Sequence, residues 1–293
     1  MLEQISWKVH YRPGIVRKEI LTIIHQYEGL IVRSKTAIDQ EIIDKAVKLK
    51  WVARAGAGLD KLDISLLENR GVKILNAPEG NRDALGEHAL SILLTLLNKV
   101  HIADQEVRQG KWNREAMRGT ELMGKTVGII GYGNMGQAFA RRLQGFGVEV
   151  LAYDKYRKSY GNQYAQEACL GELFEQTDIL SLHVPLTDET YFMLDASFLH
   201  KFNKSIYLLN TARGKNISLK TLVTFLKSGK IIGAALDVLE NEKIDQFTAE
   251  QQMYFDQLKQ MKQVVLTPHV GGWTNESYKK INQVLISKIK DLN

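Results

Sequence analysis

Cysteine is nearly missing from this chain: Cys169 is the only one in 293 residues. No disulfide can form within the chain, and no Cys/His cluster has the spacing of a zinc site. A reducing, cytoplasmic setting and no metal are expected. Long apolar runs are also missing. The best candidate, Ala84 to Val100, is interrupted by Glu87, His88 and Asn98 and falls short of the roughly 18 to 20 residues of a membrane span. The N-terminal Met1-Leu2-Glu3-Gln4 does not resemble a signal peptide, so no membrane partner is expected. Low-complexity tracts and internal repeats are lacking too. Charge is only mildly one-sided, with 39 basic against 33 acidic residues and a net +6. The basic residues are interleaved with acids, as where Lys45, Lys48 and Lys50 follow Glu41 and Asp44. This pattern describes a solvated surface rather than a nucleic-acid face, and the small excess suits anionic small-molecule ligands.

What is present is the composition of a globular chain, 44% hydrophobic and 25% charged, long enough for two modest domains. Short β-branched runs alternate with longer amphipathic stretches, the pattern of an α/β protein with parallel sheets and helices on both faces. Strands are predicted at Lys8–His10, Leu30–Val32, Trp51–Arg54, Val72–Leu75, Thr126–Ile130, Glu149–Tyr153, Ile179–His183, Ile206–Leu209, Ile232–Leu236 and Val264–Leu266. Helices are predicted near Arg17–Gln26, Gln40–Val47, Asp83–Arg108, Met135–Gly145, Leu219–Ser228 and Asn275–Leu292. The pattern from Ala84 to Gln109 is the longest and is apolar around most of its circumference. It must therefore be covered widely, either inside one domain or at a subunit interface.

The run Lys125-Thr126-Val127-Gly128-Ile129-Ile130 leads straight into Gly131-Tyr132-Gly133-Asn134-Met135-Gly136 and then a helical stretch. In a strand, turn and helix of this kind Gly131 permits the tight turn, Gly133 lets backbone approach a pyrophosphate, and Gly136 lets helix and strand pack closely. The anion would lie at the positive helix end, which carries about half a charge. A lone motif of this form is weak. Here the next strand ends in Asp154, 18 residues after Gly136, where a carboxylate accepts from a ribose 2′-hydroxyl and repels a 2′-phosphate. NAD is thus favoured over NADP, with Lys155, Arg157 and Lys158 nearby as an opposing signal.

Three further segments follow predicted strands: Asn210-Thr211-Ala212-Arg213-Gly214, Leu236-Asp237-Val238-Leu239-Glu240-Asn241-Glu242, and Thr267-Pro268-His269-Val270-Gly271-Gly272. Strand C-terminal ends are where open α/β sheets bind ligands. Singly, Arg213 reads as a surface cation, Glu242 as a loop acid and His269 as a turn residue. Together they supply what hydride transfer at a hydroxy acid needs. Arginine grips a carboxylate and polarises the C2 oxygen, imidazole exchanges the hydroxyl proton near neutral pH, and a neighbouring carboxylate fixes its tautomer.

With these motifs the chain resembles the D-isomer-specific 2-hydroxyacid dehydrogenase family, and within it the phosphoglycerate dehydrogenase branch. The resemblance covers nearly the whole chain. It also rests on Val32-Arg33-Ser34, Arg54-Ala55-Gly56-Ala57-Gly58-Leu59-Asp60, Asn76-Ala77-Pro78, Gly86-Glu87-His88-Ala89, Gly110-Lys111-Trp112-Asn113-Arg114 and His183-Val184-Pro185-Leu186-Thr187. It implies two flavodoxin-like or Rossmann-like domains flanking a cleft. A nucleotide domain (77–271) would be inserted into a substrate domain (1–76 with 272–293), and a homodimer built on the nucleotide domain. It implies Arg213, Glu242 and His269 as catalytic residues. Gly131, Gly133, Asn134, Met135, Gly136, Asp154, His183, Val184, Pro185, Thr211, Ala212, Asp237 and Gly271 would hold NAD. Arg33, Ser34, Arg54 and the backbone N–H groups of Ala55, Gly56, Ala57 and Gly58 would hold the small anionic substrate. The expected reaction is oxidation of D-3-phosphoglycerate to 3-phosphohydroxypyruvate, the first step of serine synthesis. The alternatives are a glyoxylate or hydroxypyruvate reductase and a dinucleotide-sensing, corepressor-like binding protein.

The chain departs from the family at several points. It begins where a first strand and helix would already have passed, so the substrate domain is expected to lack its central strand. Lys243 stands where a proline commonly follows the catalytic Glu, and the loop to His269 is long, with a further helix expected through Ala249–Gln260. No regulatory domain is expected after the last helix, and hence no serine feedback through one.

Overall fold

The β-branched runs become parallel strands in the computed structural model, which describes residues 7–292. Two compact units are present, one formed by the chain up to Arg82 and from Trp273 onward, the other by Asp83–Gly272.

In the first unit β1 (Gly29–Val32), β2 (Trp51–Arg54) and β3 (Lys73–Asn76) form a parallel sheet in the order β1-β2-β3. Side chains alternate across a strand, so Val52 joins Ile20, Ile24, Ile43 and Leu67 on one face. Its neighbour Ala53 joins Ile281, Leu285 and Ile289 on the other. The first face is covered by α1 (Arg17–Ile23), α2 (Gln40–Lys45) and α3 (Ile64–Asn69), the second by α11 (Asn275–Lys290). Side-chain caps start three of these helices: Asp39 accepts from the Ile42 N–H, Asp63 from Leu66 and Thr274 from Ser277.

The strand predicted at Lys8–His10 does not form. Side chains tie this segment instead: Trp7 stacks on Trp51 at 5.5 Å, and His10 Nδ1 is 2.7 Å from the Tyr27 hydroxyl. Among the described residues β1 pairs with β2 and no other strand.

In the second unit seven parallel strands run in the order β10-β9-β8-β7-β4-β5-β6. These are β4 (Thr126–Ile130), β5 (Glu149–Tyr153), β6 (Gln166–Glu167), β7 (Ile179–Leu182), β8 (Ile206–Asn210), β9 (Ile231–Leu236) and β10 (Val264–Leu266). All five residues of β4 and all four of β7 are buried, as expected of central strands covered on both faces. Val127 and Ile129 pack with Leu93 and Phe139 on one side; Leu180 and Leu182 pack with Leu208, Leu222 and Leu226 on the other. Strand order reverses between β4 and β7, the position at which such sheets open a crevice.

The predicted helix Asp83–Arg108 is two helices, α4 (Pro78–Leu97) and α5 (Val100–Arg108). The break has a local cause. Lys99 is left-handed at φ 53°, and the Leu97 carbonyl accepts from the Thr120 N–H at 2.9 Å. The first unit extends to Arg82 rather than to residue 76, because the first turn of α4 is fastened to α11. Gly80 lies directly against the Ile281 backbone, and Lys288 Nζ reaches Glu79 at 2.8 Å. Between β4 and β10 come α6 (Asn134–Arg142), α7 (Leu170–Gln176), α8 (Ala196–His200), α9 (Leu219–Lys227) and α10 (Ala249–Leu258). No helix among the described residues is long and apolar enough to cross a membrane.

Candidate active site

The glycine turn links β4 to α6. Gly131 is at φ +92°, a conformation that favours glycine, and a Cβ there would meet the His183 carbonyl at 2.6 Å. A Cβ on Gly136 would lie 2.2 Å from the Gly131 oxygen, so helix and turn close only because neither residue has a side chain. Gly133, the N-cap of α6, faces open space. Asn134 and Met135 begin the helix, where N–H groups lack intrahelical acceptors. Asp154, just past β5, accepts from the Tyr132 N–H at 2.8 Å and from the N–H groups of Tyr156 and Arg157. Arg157 donates to the Tyr132 carbonyl at 2.6 Å, beside the same turn.

The strand-end residues after β7 and β8 complete this surface. The His183 ring is packed on Phe139 with Nε2 2.8 Å from Ser181 Oγ, and burial pushes its pKa down to about 3. It is therefore a neutral group, and its Nδ1 has no partner among the described residues. Val184 lies against Gly131, and the Pro185 carbonyl accepts from Thr190. Thr211 is buried with its hydroxyl unpartnered, while the Ala212 N–H donates to Asn210 Oδ1. An open glycine backbone, a carboxylate at the end of β5 and unpartnered polar atoms on Thr211 and His183 suit a dinucleotide: these residues fit NAD. No cluster of His, Cys, Asp or Glu among the described residues has the arrangement of a metal site.

Arg213, Glu242 and His269 follow β8, β9 and β10, three adjacent strands with β9 in the middle. His269 Nδ1 lies 2.8 and 3.0 Å from the two carboxylate oxygens of Glu242. A carboxylate only accepts, so Nδ1 carries a hydrogen, and Nε2 is the ring nitrogen that does not face Glu242. The Glu242 hydrogen bond raises the His269 pKa above its ordinary value against the effect of burial; the charges of Glu242 and Asp237 add to the rise and Arg213 opposes it. His269 sits at φ +56°, which for a non-glycine residue costs about 1 kcal/mol or more. The turn is nonetheless held. The His269 N–H donates to the Asp237 carbonyl, and the Asp237 carboxylate accepts from the N–H groups of Val270 and Gly271. Asp237 itself is 2% exposed. Burial pushes its pKa up, but hydrogen bonds from His88, Thr267, Val270 and Gly271 outweigh this and hold it below the usual value.

In the first unit, Arg33 and Ser34 follow β1 and Arg54 ends β2. The Arg33 guanidinium lies 4.7 Å from the Trp273 ring centre and 5.0 Å from that of Tyr278. Trp273 and Tyr278 also line a cavity of about 340 Å³ with Thr274, Asn275 and Glu276. Arg54 folds back over Gly56 and points Nη1 at the Ala55 carbonyl, 3.4 Å away. In the loop after β2 the N–H groups of Ala55 and Gly56 are committed to Val32 and Arg54 carbonyls, which leaves those of Ala57 and Gly58 as candidate donors to an anion. Asn76 braces the loop by donating to the Ala57 carbonyl at 2.8 Å. Sequence reasoning missed Trp273 and Tyr278 as neighbours of Arg33, and His88 and Thr267 as partners of Asp237. The last two stand inside quoted motifs, but nothing in their spacing pairs α4 with the histidine loop.

A doubly wound parallel sheet with a dinucleotide turn and an Arg, Glu and His set at its strand ends defines an NAD-linked oxidoreductase. The pattern of the D-isomer specific 2-hydroxyacid dehydrogenase NAD binding domain matches residues 90–271. The chain belongs to this family. It is 35% identical over 274 residues to the hydroxypyruvate reductase of Thermotoga maritima, covering 93% of this chain and 87% of that protein. It is 33% identical to the D-3-phosphoglycerate dehydrogenase of Archaeoglobus fulgidus, covering 97% of this chain and spanning about half, 53%, of that protein. Among solved structures it is similar to D-lactate dehydrogenase from Aquifex aeolicus complexed with NAD and lactic acid, with a TM-score of 0.82 and 26% identity, covering 93% of this chain and 84% of that one.

Replacing Asp154 with Ser should raise the ratio of kcat/KM for NADP over NAD by about tenfold or more, since a charged acceptor is removed beside Arg157. A parent enzyme that already prefers NADP would show instead that Arg157 reads a phosphate. Glu242→Gln should lower the His269 pKa. Reduction, which needs the imidazolium, should then fade at lower pH than in the parent, while oxidation, which needs the neutral ring, should begin at lower pH. Initial rates in both directions across pH 5 to 10 check this, and an unshifted profile in a folded variant removes Glu242 from the role.

Proposed function

We propose that the chain is an NAD-dependent D-2-hydroxyacid dehydrogenase whose preferred substrate is D-3-phosphoglycerate. The observation that carries the reaction type is the His269–Glu242 pair beside Arg213 on the ends of three adjacent strands. Arg213 grips the substrate carboxylate and polarises the C2 oxygen. In oxidation the C2 hydroxyl proton passes to His269 Nε2 and the charge so created is stabilised by Glu242; in reduction Nε2 returns it. The Gly131–Gly136 turn, Asp154 and Thr211 would hold NAD, which would supply the hydride acceptor for C2 in oxidation and, as NADH, the donor in reduction.

The phosphate preference is supported by Arg33. Its guanidinium is half-buried over two aromatic rings and has no carboxylate partner among the described residues. Stacking engages the face of a guanidinium and leaves its N–H edge to grip a phosphate through two charge-assisted bonds. A second reading has its own observation. Arg54, the other arginine expected at a phosphate, is turned onto the Ala55–Gly56 backbone, which favours an unphosphorylated keto acid such as hydroxypyruvate.

The partner we assign is a second copy of this chain. Val100, Val107, Trp112 and Met123, all within one stretch of the nucleotide unit, are 50 to 85% exposed. Val100 and Val107 are two turns apart on one side of α5, so together they offer an apolar surface that water disfavours.

Sedimentation should give twice the chain mass for the parent and the single-chain mass for Trp112→Asp. A monomeric parent, or a variant that stays dimeric, counts against this interface. For the substrate, kcat/KM is measured for D-3-phosphoglycerate and D-glycerate. Arg33→Ala should cost the phosphorylated acid about tenfold or more and D-glycerate little. A parent that prefers D-glycerate, or equal losses on both acids, sinks the phosphate reading in favour of hydroxypyruvate. A folded parent that turns over none of D-3-phosphoglycerate, D-glycerate, hydroxypyruvate and glyoxylate sinks the enzyme reading in favour of a dinucleotide-binding sensor.

A further inference from the structure

His88 belongs to α4, whose neighbouring residues Ala89, Ile92 and Leu93 are core, and its side chain is 19% exposed. Its Nε2 lies 3.1 Å from Thr267 Oγ1 and 3.3 Å from Asp237 Oδ1. The hydroxyl of Thr267 has a single hydrogen, and this points to Asp237 Oδ1 at 2.6 Å. Toward His88 the hydroxyl can therefore only accept, and an ionised carboxylate can only accept as well. It follows that His88 Nε2 carries a hydrogen in either charge state of the ring.

Four donors thus converge on one buried carboxylate: His88 Nε2, Thr267 Oγ1 and the N–H groups of Val270 and Gly271. Three of the four are on residues 267, 270 and 271, which bracket His269. The fourth is on a helix fixed in the core. A Cβ on Gly271 would come within 2.9 Å of Asp237 Oδ2 and 3.3 Å of His88 Cδ2, so the cluster closes only around a glycine. A carboxylate in such a place holds its position when its lone pairs are filled, and a missing donor leaves buried charge that moves or draws water.

We infer that His88 and Thr267 are positioning residues for the proton carrier: by holding the Asp237 carboxylate they hold the left-handed turn that aims His269 Nδ1 at Glu242. The inference rests on His269 as the proton carrier. The charged groups that bear on the His269 ring are Glu242, bonded to it, Asp237 under its turn, and Arg213; His88 acts through Asp237.

The test is the titration of His269 followed by NMR in the protein without ligands, together with steady-state kinetics, for His88→Ala, His88→Gln, Thr267→Val and Thr267→Ser. If His88 and Thr267 position the turn, His88→Ala and Thr267→Val let His269 drift from Glu242. Its titration midpoint then falls toward that of ordinary imidazole, the pH limb of reduction moves down with it, and kcat drops roughly tenfold or more. Gln keeps an N–H donor, Ser keeps the hydroxyl, and both should recover most of the loss. Valine is isosteric with threonine, so this variant carries the test if His88→Ala does not fold. Variants that lose thermal stability while the His269 midpoint and kcat stay at parental values overturn the inference. A midpoint that falls in a protein whose parent turns over no 2-hydroxy acid supports the positioning and overturns the enzymatic reading instead.

Discussion

The arrangement of the site depends on one buried charge. Moving an ionised carboxylate out of water costs several kcal/mol even after relaxation, and the cost is offset only when its lone pairs meet donors. Asp237, at the end of β9, meets four. Its backbone is committed as well, the N–H to the Asn210 carbonyl at the end of β8 and the carbonyl to the His269 N–H beyond β10. Three neighbouring strand ends are thereby tied together at their C-terminal edge. The strained turn at His269 persists because relaxing it would strip two N–H groups from a carboxylate that is only 2% exposed.

The rest of the sheet serves this edge. Parallel strands buried on both faces leave polar side chains few places to emerge except at strand ends, and the C-terminal ends gather them on one side. Gly131, Asp154, His183, Thr211, Arg213, Glu242 and His269 all follow a strand there. The same geometry explains why glycine is required at the first turn. With Gly131 against the His183 carbonyl and Gly136 against Gly131, a methyl group at either position would push α6 away from the sheet and remove the N–H groups meant for a pyrophosphate.

Much of this was legible in the sequence because the signal was local. The glycine turn and Asp154 lie within one strand-turn-helix-strand unit, and nine of the ten strands predicted from apolar runs form among the described residues. Where contact partners are distant in sequence, periodicity carries no information. Lys8–His10 alternates like a strand, yet Trp7 and His10 are held by Trp51 and Tyr27 through side chains. The apolar pattern through Lys99 reads as one helix, and the break depends on Thr120 taking the Leu97 carbonyl. The partnership of His88 with Asp237 joins residues 149 positions apart. Trp273 and Tyr278 were invisible for the same reason, since only tertiary structure brings Arg33 over their rings.

Charge around His269 links binding to proton transfer. Glu242 raises the imidazole pKa and Arg213 lowers it, so in the free site the two strand-end charges oppose each other. In the proposed reaction a substrate carboxylate held by Arg213 would offset its positive charge and weaken the lowering influence, while Glu242 keeps its hydrogen bond to His269. On that reading, binding of a 2-keto acid would favour the protonated ring, the form that reduction needs. A 2-hydroxy acid held in the same way would raise the basicity of Nε2 toward the hydroxyl proton. The effect grows as water leaves the site, because the same charges then act through a lower dielectric. In the proposed reaction Arg213 would do more than orient the acid: a substrate carboxylate held there would also shift the proton affinity of His269.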